Sequence, residues 1–212
     1  MLSGSVATGA TAKADGGINR CDMIWKKLTI LVLMVALLFM NGCAARRVSD
    51  DGVAATDVLS NDRAAQQLAA DLALLLGYRD DETSRLAQTV LAETDTLARN
   101  YQVQPPALWH NFLVNVGIRD RGLCCHWTQD LLRKIETLQL QKYQAFWAVS
   151  RHGTWREHNC VVVTAAGQGI ATGLVLDAWR DAGHLYWTRV AEDRYAWQRH
   201  PGDNGIARIR CR

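Results

Sequence analysis

Apolar residues recur every three or four positions from about residue 61 to residue 140, and after Leu140 the period falls to two. Asn61-Asp62 can cap a helix that runs to Leu76 and stops at Gly77, with Leu68, Leu72, Leu75 and Leu76 on one face. Residues 80–100 read as a second helix with Leu86, Val90, Leu97 and Ala98 inward. Pro105-Pro106 breaks the chain and opens a short third helix through Trp109, Phe112, Leu113 and Val116, ended by Gly117. A fourth helix starts at Cys124. Its stripe of Trp127, Leu131, Ile135 and Leu138 extrapolates back onto Cys124 and leaves Cys125 about 100° away on the flank. Residues 143–150, 157–165, 170–179, 185–190 and 195–198 read as strands between turn residues. Helices first and antiparallel strands afterwards predict an α+β fold, with N-terminal helices packed on an antiparallel β-sheet.

The amino terminus breaks this pattern. Residues 1–22 are polar and patternless, and Met23 is the expected true start. Lys26 and Lys27 precede an apolar run of residues 28–40, too short for a membrane span of about 20 residues but suited to an export signal. Met40-Asn41-Gly42-Cys43 follows, and it resembles the bacterial lipobox. That resemblance implies that residues 1–42 are removed and that Cys43 becomes the lipid-modified first residue, tethering the protein without spanning the bilayer. Residues 43–60 would be lipidated cysteine and tether, and residues 61–212 the folded domain. Ala44-Ala45 lacks the aspartate associated with inner-membrane retention, so the expected address is the bacterial cell envelope, facing the periplasm on the outer membrane.

A chain of 212 residues with 49% hydrophobic content can bury a good core. Its net charge of +3 comes from scattered Lys and Arg, which excludes a nucleic-acid partner. Of eight tryptophans, six follow residue 126; they suit either core packing or a cleft wall for an extended or carbohydrate-bearing substrate. Once Cys21 is removed and Cys43 consumed, Cys124, Cys125, Cys160 and Cys211 remain, and in an oxidising compartment Cys160–Cys211 is a candidate disulfide. Cys124-Cys125-His126 lacks the gap that aims paired ligands at one ion, so no metal and no cofactor are expected.

The candidate chemistry joins three segments. Cys124 stands where a helix begins, so the macrodipole and unpaired N–H groups favour a thiolate. Gly167-Gln168 between two strand-like runs suits a two-residue hairpin, which would set His158 directly opposite Asp177. Cys124 is then the nucleophile, His158 the general base and acid, and Asp177 the group that orients the ring. The Cys124 N–H and a further donor, Asn111, Asn115 or the Trp109 indole, would hold an oxyanion. Each member also has a purely structural alternative: a buried thiol, a histidine on a backbone group, an aspartate receiving Arg180. Which of Cys124 and Cys125 reacts stays open.

Cysteine opening a helix, histidine beginning a strand and aspartate ending the next is an order that resembles the transglutaminase-like branch of the papain-like thiol enzymes. Gly122-Leu123-Cys124 is similar to that family's glycine-x-cysteine, and Trp127 and Leu131 to its helix core. Cys125 and the pair Glu157 and Asn159 depart from its aromatic-rich pattern. The resemblance implies a transglutaminase/papain-like core and acyl transfer or hydrolysis at an amide of a peptide, protein or peptidoglycan-like substrate. The product would be a cysteine peptidase, amidase or transglutaminase-like acyltransferase. The rivals are a non-catalytic envelope binding or assembly lipoprotein on the same fold, and a structural lipoprotein stapled by disulfides.

Overall fold

The computed structural model describes residues 50–203 and residue 211. The expected export signal, Cys43 and the first part of the tether lie outside the described residues. The described chain belongs to a unit that begins at Asp50, and no helix in it is long and apolar enough to cross a membrane.

Among the described residues, four helices precede the sheet. Helix α1, Asp50–Leu76, starts well before the expected cap at Asn61. Asn61 instead donates its amide to Asp95 of the next helix at 3.0 Å, so part of the expected tether is helical. Helix α2, Asp81–Asn100, is capped by Asp80, whose carboxylate accepts the Thr83 N–H at 3.1 Å. Its buried stripe is Thr83, Leu86, Ala87, Val90, Thr94 and Leu97. Helix α3, Ala107–Asn115, buries Ala107, His110 and Leu113, whereas Trp109, Phe112 and Val116 stand about half exposed. His110 decides this, because its ring both accepts and donates inside, whereas an indole can only donate and a phenyl ring can do neither. Nδ1 accepts the Gln104 N–H at 3.3 Å, so Nε2 donates to the Arg121 carbonyl at 2.9 Å. Helix α4, Cys124–Glu136, carries the buried set Cys125, Trp127, Thr128, Leu131, Leu132 and Ile135.

The strands are β1, Tyr143–Ser150; β2, His158–Ala165; β3, Leu174–Asp181; β4, His184–Arg189; and β5, Gln198–Arg199. They form one antiparallel sheet in the order β4-β3-β2-β1-β5. The α+β architecture is therefore the one the periodicities predict. Side chains of opposite parity go to two cores. Trp147, Val161, Val163, Leu174 and Leu176 face α4, while Ala148, Cys160, Val162 and Val175 meet Trp197 on the other side.

The β2–β3 connection departs from the expected two-residue turn. Residues 166–173 link the strands, with Gly167 at φ 79° and a 3-10 turn at Ile170–Thr172 where strand was expected. The ladder pairs Val161 with Leu176 and Val162 with Val175, two residues away from the expected register. Continued, it sets Cys160 across from Asp177 and leaves His158 one diagonal step away. A two-residue displacement preserves the face, because side chains alternate with a period of two. His158 and Asp177 therefore meet even though the predicted turn does not form.

Candidate thiol site

The loop before α4 is built to hold the helix start. Gly122 adopts φ 124°, and a Cβ there would lie 2.1 Å from His110 Nε2, so only glycine fits. The Gly122 carbonyl accepts the Trp127 indole N–H at 3.0 Å. Arg121 reaches Asp130 at 2.8 Å, and Asp130 also accepts the Tyr101 hydroxyl at 2.6 Å. His126 is half-buried and turns back on the helix entry: its Nδ1 lies 3.1 Å from the Gly122 nitrogen and 3.3 Å from that of Leu123, accepting both N–H groups. Burial, with the Arg121 charge second, lowers the His126 pKa and favours the neutral ring this acceptor role requires.

These contacts settle which thiol is available. Cys125 points into the core and is bonded to Cys211, 86 residues away, so the candidate Cys160–Cys211 bridge does not form. Cys160 is a free thiol buried between strands, its pKa pushed well up by burial. Cys124 is free and partly exposed, lining a cleft of about 1060 Å³. The helix phase thus differs from the extrapolated one: Cys125 takes the core-facing place, and Cys124 faces the cleft at the helix end.

His158 begins β2 and is 3% exposed. Its Nε2 lies 2.7 Å from Asp177 Oδ2, and its Nδ1 is buried without a hydrogen bond of ordinary geometry to any described residue. Desolvation opposes charging the ring, but the hydrogen bond to Asp177, with the nearby Cys124 sulfur second, outweighs it and raises the imidazolium pKa to about 9. Since Asp177 occupies Nε2, the nitrogen left for the sulfur is Nδ1. Asp177 is itself held on four sides. Oδ2 also accepts Arg180 Nε at 3.0 Å, and Oδ1 accepts the N–H groups of Trp179 at 3.2 Å and Arg180 at 3.1 Å. Those backbone donors lie where the β3–β4 register shifts between Asp177 and Asp181, so the carboxylate satisfies groups that the bulge frees. Arg180 then forks onto Asp193 at 3.2 and 2.8 Å, and Asp193 accepts the Trp197 indole at 2.9 Å. The paired charges raise the Arg180 pKa against desolvation and, with desolvation again opposing, lower that of Asp193.

The histidine has its aromatic surroundings, supplied from outside its own strand. Trp179, Tyr195 and Trp197 lie with ring centroids 4.7, 4.9 and 5.3 Å from it. Asn159, the next residue of β2, leaves on the opposite face. Its Oδ1 accepts the Trp147 indole N–H at 2.7 Å, which aims Nδ2 at Glu157 Oε1, 3.2 Å away, and at Cys124 Sγ, 3.8 Å away. In the sequence Asn159 shows only as a departure from a pattern; its place directly after His158 is the available signal.

Of the three oxyanion candidates, the structure brings Asn111 to the cleft, with Oδ1 accepting the Trp179 indole N–H at 2.8 Å. That bond leaves the Asn111 NH2 as the end able to serve a substrate oxygen. Asn115 is exposed on the far end of α3, and Trp109 stacks on Phe112 at 5.3 Å; neither lines the cleft, because the face of α3 is turned by His110. Among the described residues, two groups of three potential ligand atoms lie within 4.8 Å of one another: Cys125, His126 and Cys211, whose sulfurs are already bonded to each other, and His152, Glu157 and His200. Chemically, the arrangement offers a thiol, a ring nitrogen able to exchange a proton, and a fixed carboxylate behind that ring. Comparison of the chain with known protein families, curated proteins and solved structures finds no match.

Proposed function

We propose that this protein is a lipid-anchored thiol enzyme of the bacterial cell envelope, with a transglutaminase-like core acting on amide bonds. The observation that carries the reading is the buried His158 ring, with Nε2 held by Asp177 at 2.7 Å, Nδ1 buried without a hydrogen-bond partner among the described residues, and Cys124 close enough to favour the charged ring. That is the arrangement a thiolate–imidazolium pair requires.

In the first half-reaction Cys124 Sγ attacks the amide carbon, and the oxyanion is held by the helix-start N–H of Cys124 and the Asn111 amide. His158 protonates the departing nitrogen, the C–N bond breaks, and an acyl-Cys124 thioester remains. In the second, water or an amine gives its proton to His158 and attacks the thioester, releasing acid or new amide and restoring the thiol. Asp177 keeps the ring in place throughout. The substrates are peptide, protein or peptidoglycan-like amides, met at the membrane surface through the lipid on Cys43.

The test is selective alkylation. At pH 7 a mild electrophile should label one residue, Cys124, and His158→Ala should slow that labelling by about tenfold or more. Labelling of the Cys124→Ala protein at Cys125, or equal rates with and without His158, would overturn the reading in favour of a non-catalytic envelope module.

A further inference from the structure

The rim of the Cys124 cleft carries a cluster that the thiol chemistry does not use. His152 and Glu157 lie in the β1–β2 connection, and His200 directly follows β5. His152 Nδ1 is 3.0 Å from Glu157 Oε2, and the His200 ring stands edge-on to His152 with centroids 4.9 Å apart. One ligand atom from each of the three lies within 4.8 Å of the other two.

We propose that His152, Glu157 and His200 form a binding site for a divalent transition metal of the zinc class at the mouth of this cleft. Two imidazoles and a carboxylate are a zinc ligand set, and three protein ligands leave a position open to water or substrate. Bonds of about 2.0–2.1 Å to a tetrahedral ion place ligand atoms roughly 3.4 Å apart. The cluster is therefore within about 1.5 Å of closure, a distance side-chain torsions cover.

The support around the ligands is already present. Glu157 Oε2 accepts the Gly153 N–H at 2.7 Å, and Oε1 accepts the Asn159 amide at 3.2 Å, so the carboxylate is oriented from behind. His200 is fixed through its backbone N–H to the Trp147 carbonyl at 2.8 Å. Its Nδ1 accepts the Gly202 N–H at 3.0 Å. The ion would take Nδ1 in place of that bond, or Nε2 after the ring proton moves. The nearest cations of the connection, Arg151 and Arg156, are engaged over the rings of Tyr195 and Trp155. The site stands apart from the thiol reading, since none of its three ligands takes part in the acyl chemistry.

The experiment is a titration of the untagged full-length protein, disulfide intact, with Zn²⁺ and separately with Co²⁺. Calorimetry should show one equivalent of Zn²⁺ bound, with binding weakened more than about 100-fold in His152→Ala/His200→Ala and retained in Cys124→Ala. Co²⁺ should give visible bands of a nitrogen- and oxygen-ligated ion with no sulfur charge-transfer band. His152 is exposed and His200 partly buried, so the double variant should still fold and melt close to the parent, and Glu157→Gln provides an independent loss of a ligand. No zinc bound by the parent, equal binding by the double variant, or a sulfur charge-transfer band that vanishes in Cys124→Ala would each overturn the assignment. Failure of Cys124 to react with electrophiles would overturn the thiol reading and leave the metal result standing.

Discussion

His158 carries the sharpest pH signature at the level of single residues. Its native pKa of about 9 stands above the roughly 6.5 of an unfolded histidine, so the native state binds that proton more tightly. The stabilisation is fully present below about pH 6.5 and is lost as pH rises through about 9. Urea unfolding of the parent should therefore lose on the order of 3 kcal/mol across that window, and His158→Gln should remove that part of the slope. Gly122→Ala tests the loop at the same scale. It forces a left-handed backbone and a methyl group into the His110 ring, and should lower unfolding free energy by on the order of 3 kcal/mol. Asn159→Ala leaves the fold's apolar packing intact but removes the amide that reaches Cys124 Sγ. At constant pH it should change the Cys124 alkylation rate without moving the site of labelling.

Elements were legible to different degrees, for reasons that can be named. Strand β1 and helix α2 follow from local pattern, since the strand-forming run Tyr143–Ser150 and the cap at Asp80 involve neighbours a few residues apart. Helix α3 forms where the spacing predicts it, but spacing does not show which face is buried: the two hydrogen bonds of His110 turn that ring inward and leave Trp109 and Phe112 half exposed. The β2–β3 turn was misread, yet the error was by two residues and left the His158–Asp177 pair on one face. Strand β3 ends in a bulge whose consequences no local pattern announces: Asp177, Arg180 and Asp193 become a nearly fully buried ionic row. Replacing Arg180 by Leu would leave two buried carboxylates without their shared cation. Chemical denaturation should show a loss of about 3–5 kcal/mol, and alkylation of Cys124 should slow because Asp177 no longer has its anchor.

For the molecule as a whole, the Cys125–Cys211 bond ties the helix start to the carboxy-terminal end of the chain. Closing so long a loop restricts the unfolded ensemble, so Cys211→Ser should lower stability by about 2–4 kcal/mol. Thermal melting with and without reductant checks this, and alkylation in the variant should show Cys124 still reacting. The same bond removes Cys125 from competition, a point on which adjacent cysteines in a sequence are silent.

What the amino-acid sequence determined by itself was whatever depends on near neighbours. The periods of 3.6 and 2 separated helices from strands, Gly122 to Cys124 marked a helix start, and strand parity put His158 and Asp177 on one face. What only the tertiary structure decided depends on segments that return from far along the chain. It chose Cys211 as the partner of Cys125, brought Trp197 and Tyr195 around the imidazole, and set Asn159 beside the sulfur. Hydrogen-bond periodicity is a property of a few consecutive residues, whereas a contact across 86 positions is chosen by packing of the complete fold.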